Sequence, residues 1–257
     1  MPFLLGRDVV GIVIDANNSA FNKGDIVWSN SLGYENRNGA SASYLAINEE
    51  RLYLLPPNVD PYQAVSTLHA LTTAVLLLTR LVTPKAKSSI LIQGGAGLVG
   101  TKLIEVAKIL NLNISATAHP RDFPRLTKLG AMCLDYKNPE YTTKFDLLID
   151  TSGQNSLNDN VKLLNNNGKL LMITKPRDTK FDPWDFYTNG KQILGFVLSK
   201  EPLEALDNAA LFMNKYFAKG HFLSDDIEIL DYKMIKKYHE LVETWQQSGK
   251  RVVFKFD

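Results

Sequence analysis

The run Gly95-Ala96-Gly97-Leu98-Val99-Gly100 is where residue types and spacing in this sequence most directly imply chemistry. It follows a short apolar stretch, Ser89-Ile90-Leu91-Ile92-Gln93, and opens a stretch from Leu98 to Leu110 with apolar residues at helical spacing. In a strand-to-helix turn, glycine at Gly95 permits a tight turn, at Gly97 lets a pyrophosphate approach the backbone, and at Gly100 lets helix and strand pack closely. The helix start then faces phosphate with amides that lack helical partners and with the positive end of its dipole. The spacing alone is a weak signal, and a plain strand-to-helix turn without a ligand is the competing reading. The strand before it and the helix after it favour a dinucleotide site.

The second strand decides which dinucleotide. An acidic residue there, roughly 20 residues past the first glycine, would bind a ribose 2′-hydroxyl and indicate NAD. The chain instead reads Ala116-Thr117-Ala118-His119-Pro120-Arg121, with no acid. Asp122 comes slightly late and is expected to cap the following helix. Arg121 is placed to grip a 2′-phosphate bidentately, with a solvated surface arginine as the alternative. NADP is favoured over NAD.

The elements that must position these groups fall into two grammars. Up to residue 60 the pattern is all-β, with strands expected at Val9–Ile14, Asp25–Trp28 and Ser43–Ile47, separated by Gly, Asn and Lys clusters. A helix is expected from Pro61 to Val82, ended by Pro84. From Ser88 strands and helices alternate. Strands are expected at 89–93, 113–117, 131–134, 145–150, 169–173 and 192–198, with helices at 98–110, 122–129 (closing at Gly130) and 157–164. Such alternation implies a parallel sheet with right-handed crossovers, an α/β class. The tail reads helix (204–217), strand (226–230), helix (234–247, with Gly249 at its stop) and strand (251–256).

Composition sets bounds on function. The 257 residues are 45% apolar and 22% charged, as in ordinary soluble globular proteins. With 29 Lys and Arg against 27 Asp and Glu, the charge is near balance and gives no reason to expect a nucleic-acid partner. The most apolar run, Ala70 to Leu78, is too short to span a bilayer, so no membrane role is expected. A lone cysteine, Cys133, excludes an intrachain disulfide and leaves no cysteine cluster for zinc, which fits a reducing, cytoplasmic setting. His69, His119, His221 and His239 are scattered without ligand spacing and read as surface or packing residues.

In order and spacing, a set of landmarks runs along the chain: Gly6-Arg7-Asp8-Val9-Val10-Gly11, Phe21-Asn22-Lys23-Gly24-Asp25-Ile26-Val27, Leu71-Thr72-Thr73-Ala74, the glycine turn, Leu129-Gly130-Ala131, Phe145 to Gly153, and Gly249 to Val253. By these the chain resembles the medium-chain dehydrogenase/reductase superfamily, in its zinc-independent quinone oxidoreductase-like branch. The resemblance implies a Rossmann doubly wound parallel sheet plus a partial GroES-like β domain. The latter would occupy residues 1–65 and be completed by 221–257, with the NADP-binding domain at 66–220. It implies Thr72 as a hydroxyl near the cofactor, Gly97, Leu98, Val99 and Gly100 as the pyrophosphate turn, and Arg121 with Tyr136 at the 2′-phosphate. Thr117 goes with that strand end, while Gly153, Thr174 and Phe196 fall near the ribose and nicotinamide positions.

Zinc-dependent relatives carry Gly-His-Glu where this chain has Gly6-Arg7-Asp8, and a cysteine where it has Ser66 to Ala70. The resemblance therefore implies no metal and an NADPH-dependent reduction of a quinone or an activated alkene such as an enone. No catalytic acid is nominated: Tyr44 and Tyr53 lie in the β domain, where a tyrosine is more often half-buried packing than chemistry. The chain begins where the family is already well into its catalytic domain, past the Asn and Tyr side chains that line the nicotinamide pocket. A non-catalytic dinucleotide-binding protein, or a truncated remnant of such an enzyme, therefore stands as the alternative. A homodimer is implied by the family, with Gln192–Leu198 as the joining edge.

Overall fold

The structure is a computed structural model and describes residues 4–223, 226–244 and 251–256. In chain order the first elements are β1 (Val9–Ile12), β2 (Ile26–Ser29), β3 (Tyr53–Leu54), α1 (Pro61–Val65) and α2 (Leu68–Leu76). There follow β4 (Ser89–Gln93), α3 (Leu98–Ile109), β5 (Asn113–Ala118), α4 (Phe123–Leu129), β6 (Met132–Asp135), β7 (Phe145–Asp150), α5 (Leu157–Lys162) and β8 (Leu164–Met172). The last are α6 (Pro183–Thr188), β9 (Gln192–Gly195), α7 (Leu203–Phe217), β10 (Ile227–Asp231), α8 (Ile235–Glu243) and β11 (Arg251–Lys255). By packing they form two units, Thr73–Leu198 and Met1–Thr72 with Ser199–Asp257.

The Thr73–Leu198 unit is the α/β one. Its six strands are all parallel and ordered β6-β5-β4-β7-β8-β9. Counted within the unit this is the order 3-2-1-4-5-6 of a doubly wound sheet, in which ligands bind outside the carboxyl ends of the strands where the order reverses. That point lies between β4 and β7. The sequence Ser-Ile-Leu-Ile-Gln suits the central strand because helices cover both faces of a parallel sheet. Ile90, Leu91 and Ile92 are accordingly fully buried, each contributing roughly 1.5–3 kcal/mol of burial. Helix α5 closes one face, where Leu157 and Val161 pack with Leu91, Phe145, Leu148, Leu164 and Leu170. Helix α4 stops where expected: Gly130 takes a φ of 106°, and the Ala131 amide bonds back to Leu126 O (3.1 Å).

The second unit carries two small sheets among its described residues. Strands β1, β2 and β3 form an antiparallel sheet with Val9 opposite Ser29 and Trp28 opposite Tyr53, and β10 pairs with β11 in parallel. Trp28 is fully buried, packs against the Tyr53 ring with centroids 4.6 Å apart and planes tilted by 42°, and donates its indole N–H to Asn214 Oδ1 (3.1 Å). Asn214 donates in turn to Leu54 O (2.9 Å), and the Tyr53 hydroxyl donates to Asp207 (2.9 Å). Both Asn214 and Asp207 lie on α7. These bonds explain why Leu203–Phe217 packs with the β strands, whereas the sequence groups it with the Rossmann domain ending at 220. The packing division likewise falls at Thr72 rather than at residue 65.

Local expectations differ from the structure in several places, and the strands expected at Val9–Ile14 and Gln192–Leu198 end early, at Ile12 and Gly195. Ser43–Ile47 is not a strand: Tyr44 is 75% exposed, Leu45 and Ile47 are only partly buried, and β3 pairs with β2 instead. The helix expected over 61–82 is interrupted after Val65, where Ser66 Oγ donates to Gln63 O (2.7 Å), and it ends in one π-helical turn over Leu77–Leu81. Strand β8 begins at Leu164 rather than Lys169 and absorbs the polar run Asn165–Asn167, with a register shift opposite Phe145 and Leu147. Helix α6 was not expected, although Asp182 as cap and Pro183 at the first helical position carry its signal. The expected helix end at Gln247 and stop at Gly249 lie outside the described residues.

Candidate functional site

The glycine turn joins β4 to α3. The left-handed residue is Gly94 (φ 78°), not Gly95, and a Cβ there would lie 2.7 Å from Thr151 Oγ1. Gly95 is required for a different reason: its Cβ would fall 2.7 Å from that of Ala116 on β5. At Gly100 a Cβ would run into Gly94 O, which is the close helix–strand approach expected of it. Thr117 secures the turn from the neighbouring strand, taking the Gly94 amide on Oγ1 (3.1 Å) and the Gly95 amide on its carbonyl (2.9 Å).

Gly97 is the extended residue ahead of α3 and supplies no side-chain cap. The first intrahelical bond runs from the Thr101 amide to Gly97 O (2.9 Å). The amides of Leu98, Val99 and Gly100 thus precede the ladder, at the positive end of a twelve-residue helix. Arg125, not singled out in the sequence, holds the outer side of this turn. Its guanidinium donates to Ala96 O (3.1 Å) and Thr101 Oγ1 (3.2 Å). No local pattern announces it, because the contact joins α4 to a loop 29 residues earlier.

At the end of β5 the chain turns through Pro120–Asp122, capped by His119, whose Nδ1 accepts the Arg121 amide (3.2 Å). Asp122 makes no capping bond, contrary to expectation. Its carboxylate lies 3.7 Å from Arg121 Nε and 3.8 Å from Arg125. The Arg121 side chain is 79% exposed, so its guanidinium remains open to a ligand. Tyr136 is tied to this place by its amide, which donates to Ala118 O (3.1 Å), and its ring lies 6.2 Å from that of His119. The structure thus brings Thr117, Arg121 and Tyr136 together and adds His119, which the sequence reading left as a surface residue.

The end of β7 is fixed by Asp150, a buried carboxylate whose Oδ1 accepts from the Ser152 amide (2.9 Å), the Ser152 hydroxyl (2.6 Å) and the Gly153 amide (3.1 Å). Its Oδ2 accepts from Asn155 (3.1 Å), so the aspartate shapes the loop. Gly153 is left-handed (φ 66°), with Lys175 O against its missing Cβ, and Thr174 Oγ1 donates to Asp150 O (2.9 Å). Gly153 and Thr174 therefore adjoin. Phe196 follows β9 as a buried ring with its amide on Met172 O (3.1 Å). Beneath the turn, Gln93 Oε1 is buried without a partner, while its Nε2 reaches the Tyr141 hydroxyl at 3.5 Å. Burial pushes that phenol above its ordinary pKa.

Thr72 belongs to the other unit. It is buried, donates to Leu68 O (2.7 Å) and accepts from Asn30 Nδ2 (2.7 Å). Among the described residues no group of three or more His, Cys, Asp or Glu side chains could hold a metal ion, and no helix is long and apolar enough to cross a membrane. Cys133 lies near Phe123 O and Ala131 O, in a packing position.

No family model matches the chain. It is 26% identical to the quinone oxidoreductase of Sus scrofa over 223 residues, 82% of this chain and 67% of that one. It is 31% identical to the chloroplastic NADPH-dependent alkenal/one oxidoreductase of Arabidopsis thaliana over 186 residues, 68% of this chain and 47% of that one. The solved structure of Escherichia coli quinone oxidoreductase complexed with NADPH superposes with a TM-score of 0.79 at 18% identity, over 97% of this chain and 82% of the other.

Proposed function

We propose, from the premise that this chain belongs to the quinone oxidoreductase-like branch of the medium-chain dehydrogenase/reductase superfamily, that it reduces a quinone or enone with NADPH. One observation carries the reading: an amide cradle at Gly97–Gly100 with no side-chain cap, beside a strand end that presents Arg121 with no acid ahead of Asp122. Packing against Ala116 and Gly94 holds Gly95 and Gly100 to glycine, and glycine at Gly97 suits a close approach of the backbone to a pyrophosphate. The relatives named quinone oxidoreductase and alkenal/one oxidoreductase support the substrate class, and the latter, named NADPH-dependent, supports the cofactor.

When bound, NADPH supplies the hydride. The chain's own residues bind and orient. The amides of Leu98, Val99 and Gly100 take the pyrophosphate charge, and Arg121 with Tyr136 takes the 2′-phosphate. Gly95 and Thr117 keep the turn and the strand end in register. Gly153, Thr174 and Phe196 stand at the ends of the adjoining strands for the ribose and nicotinamide, and Thr72 is assigned by its motif as a hydroxyl for the cofactor. The Met1–Thr72 and Ser199–Asp257 unit is read as a partial GroES-like catalytic domain. We place the protein in the cytoplasm as a homodimer joined at β9, which is the sheet edge.

The test is NADPH consumption followed by absorbance, with a naphthoquinone and with methyl vinyl ketone as acceptors. Acceptor-dependent consumption is expected with at least one of them. Tight NADPH binding with no consumption across a panel of quinones and enones would contradict the enzyme reading and leave a non-catalytic dinucleotide-binding protein.

A further inference from the structure

We propose that Arg7 and Arg37, in the β unit, form a binding subsite for a small anion of the carboxylate or phosphate class. Their guanidinium carbons lie 5.5 and 5.7 Å from the centroid of one ring, Tyr34. Both also reach one residue: Arg7 Nη1 donates to Ser199 Oγ (3.1 Å) and Arg37 Nη2 to Ser199 O (3.2 Å). The two charges therefore converge. Among the described residues no carboxylate lies within ion-pair distance of either. Their partners are a hydroxyl, the carbonyls of Ser31 and Ser199, and the face of a phenol, none of which carries a formal negative charge. Arg37 Nε is buried with no hydrogen-bond partner, a donor left unspent.

The surroundings leave this positive charge largely unbalanced. Burial, Arg51 and Arg7 all hold the Arg37 guanidinium below its ordinary pKa, with Glu35 and Tyr34 acting the other way. Like charges in partial burial repel unless an anion is set between them. The backbone is committed to the arrangement. The Arg37 amide bonds back to Tyr34 O (3.1 Å) through a turn whose Glu35 and Asn36 are both left-handed (φ 47° and 68°), and Ser31 in the same loop has φ 58°. The Leu32 amide ties this loop to Arg7 O (2.9 Å). Non-glycine residues in that region are costly and collect at ligand clamps. Arginine is also the side chain whose planar fork matches a carboxylate or phosphate.

Such an anion has two sources, the acidic group of an enone or quinone substrate or a free small anion. In the first case the subsite deepens the reductase reading and rests on it; in the second it stands alone. The experiment is calorimetric titration of the full chain with three probes: an enone bearing a carboxylate on a saturated tail, its methyl ester, and inorganic phosphate. Wild type is compared with Arg7→Gln, whose side chain is exposed and makes a single hydrogen bond, and with Arg37→Gln once its melting temperature shows it folded. The acid should bind at least tenfold tighter than the ester to wild type, and the two should bind alike in Arg7→Gln. Phosphate binding that is lost in Arg7→Gln, with no preference for acid over ester, identifies a free anion as the occupant. Equal binding of acid and ester with no phosphate binding, or an acid preference that survives in Arg7→Gln, overturns the subsite. NADPH-dependent turnover is read separately. Ester turnover without acid preference or phosphate binding leaves the reductase reading and removes the subsite, whereas Arg7-dependent acid binding without turnover does the reverse.

Discussion

A methyl group at position 100 has nowhere to go, because Gly94 O occupies its place. Gly100→Ala should therefore destabilise the α/β unit by about 1–3 kcal/mol, the usual cost of overpacking, and should weaken NADPH binding by moving the first turn of α3. Urea denaturation and calorimetry check the two effects; an unchanged midpoint would mean that the approach of helix to strand is looser than described. At this scale the sequence was informative where the logic is local. The glycine spacing and Arg121 could be proposed from their offsets to a strand end, whereas Thr117 and Tyr136 came only with the resemblance. Arg125, His119 and the Asp150 loop clasp were not, because their roles depend on partners that only the folded sheet brings near. Gly94 was missed for a smaller reason: it stands just outside the glycine pattern yet carries the positive φ.

Elements have their own weak points, and Lys191 is one. Its ammonium is buried ahead of β9, donating to Asp185 Oδ2 on α6 (2.6 Å) and to Val161 O at the end of α5 (2.9 Å). The hydrogen bond from Lys191 outweighs burial and holds the Asp185 carboxyl below its ordinary pKa. A folded pKa below the unfolded one gives stability that is full above the ordinary carboxylate range and is lost as pH falls through the folded value. Asp185→Asn should cost about 2–3 kcal/mol at neutral pH, less than for a fully buried pair because Asp185 keeps some contact with water. The gap to wild type should close in acid, and chemical denaturation across that range reads it; a gap constant with pH would contradict the pairing. Helix α6, which supplies this aspartate, shows how much of the element order could be read in advance. Strongly apolar strands such as β4 and β7 were plain. The short α6 and the asparagine-rich start of β8 were hidden because their burial is settled by neighbours rather than by their own periodicity.

At the scale of the whole molecule, the change from all-β to alternating grammar was visible near Ser88. The return was harder to place, because α7 is amphipathic in either setting and only the bonds from Asn214 and Asp207 to the β strands assign it. The open edge at β9 carries the prediction on assembly. In the proposed homodimer a second copy would cover Val197, which is half exposed just beyond β9, so sedimentation should give twice 28.8 kDa for wild type and the monomer for Val197→Glu. A monomeric wild type would remove the dimer. Calorimetric titration of NADPH and NADH into wild type and Arg121→Ala shows whether the α3 turn holds NADPH with Arg121 on its 2′-phosphate. Wild type should prefer NADPH by about tenfold or more, as a lost charge-assisted pair of about 1.5–3 kcal/mol implies, and Arg121→Ala should bind the two alike. Equal binding by wild type, or no binding of either nucleotide, would contradict that arrangement.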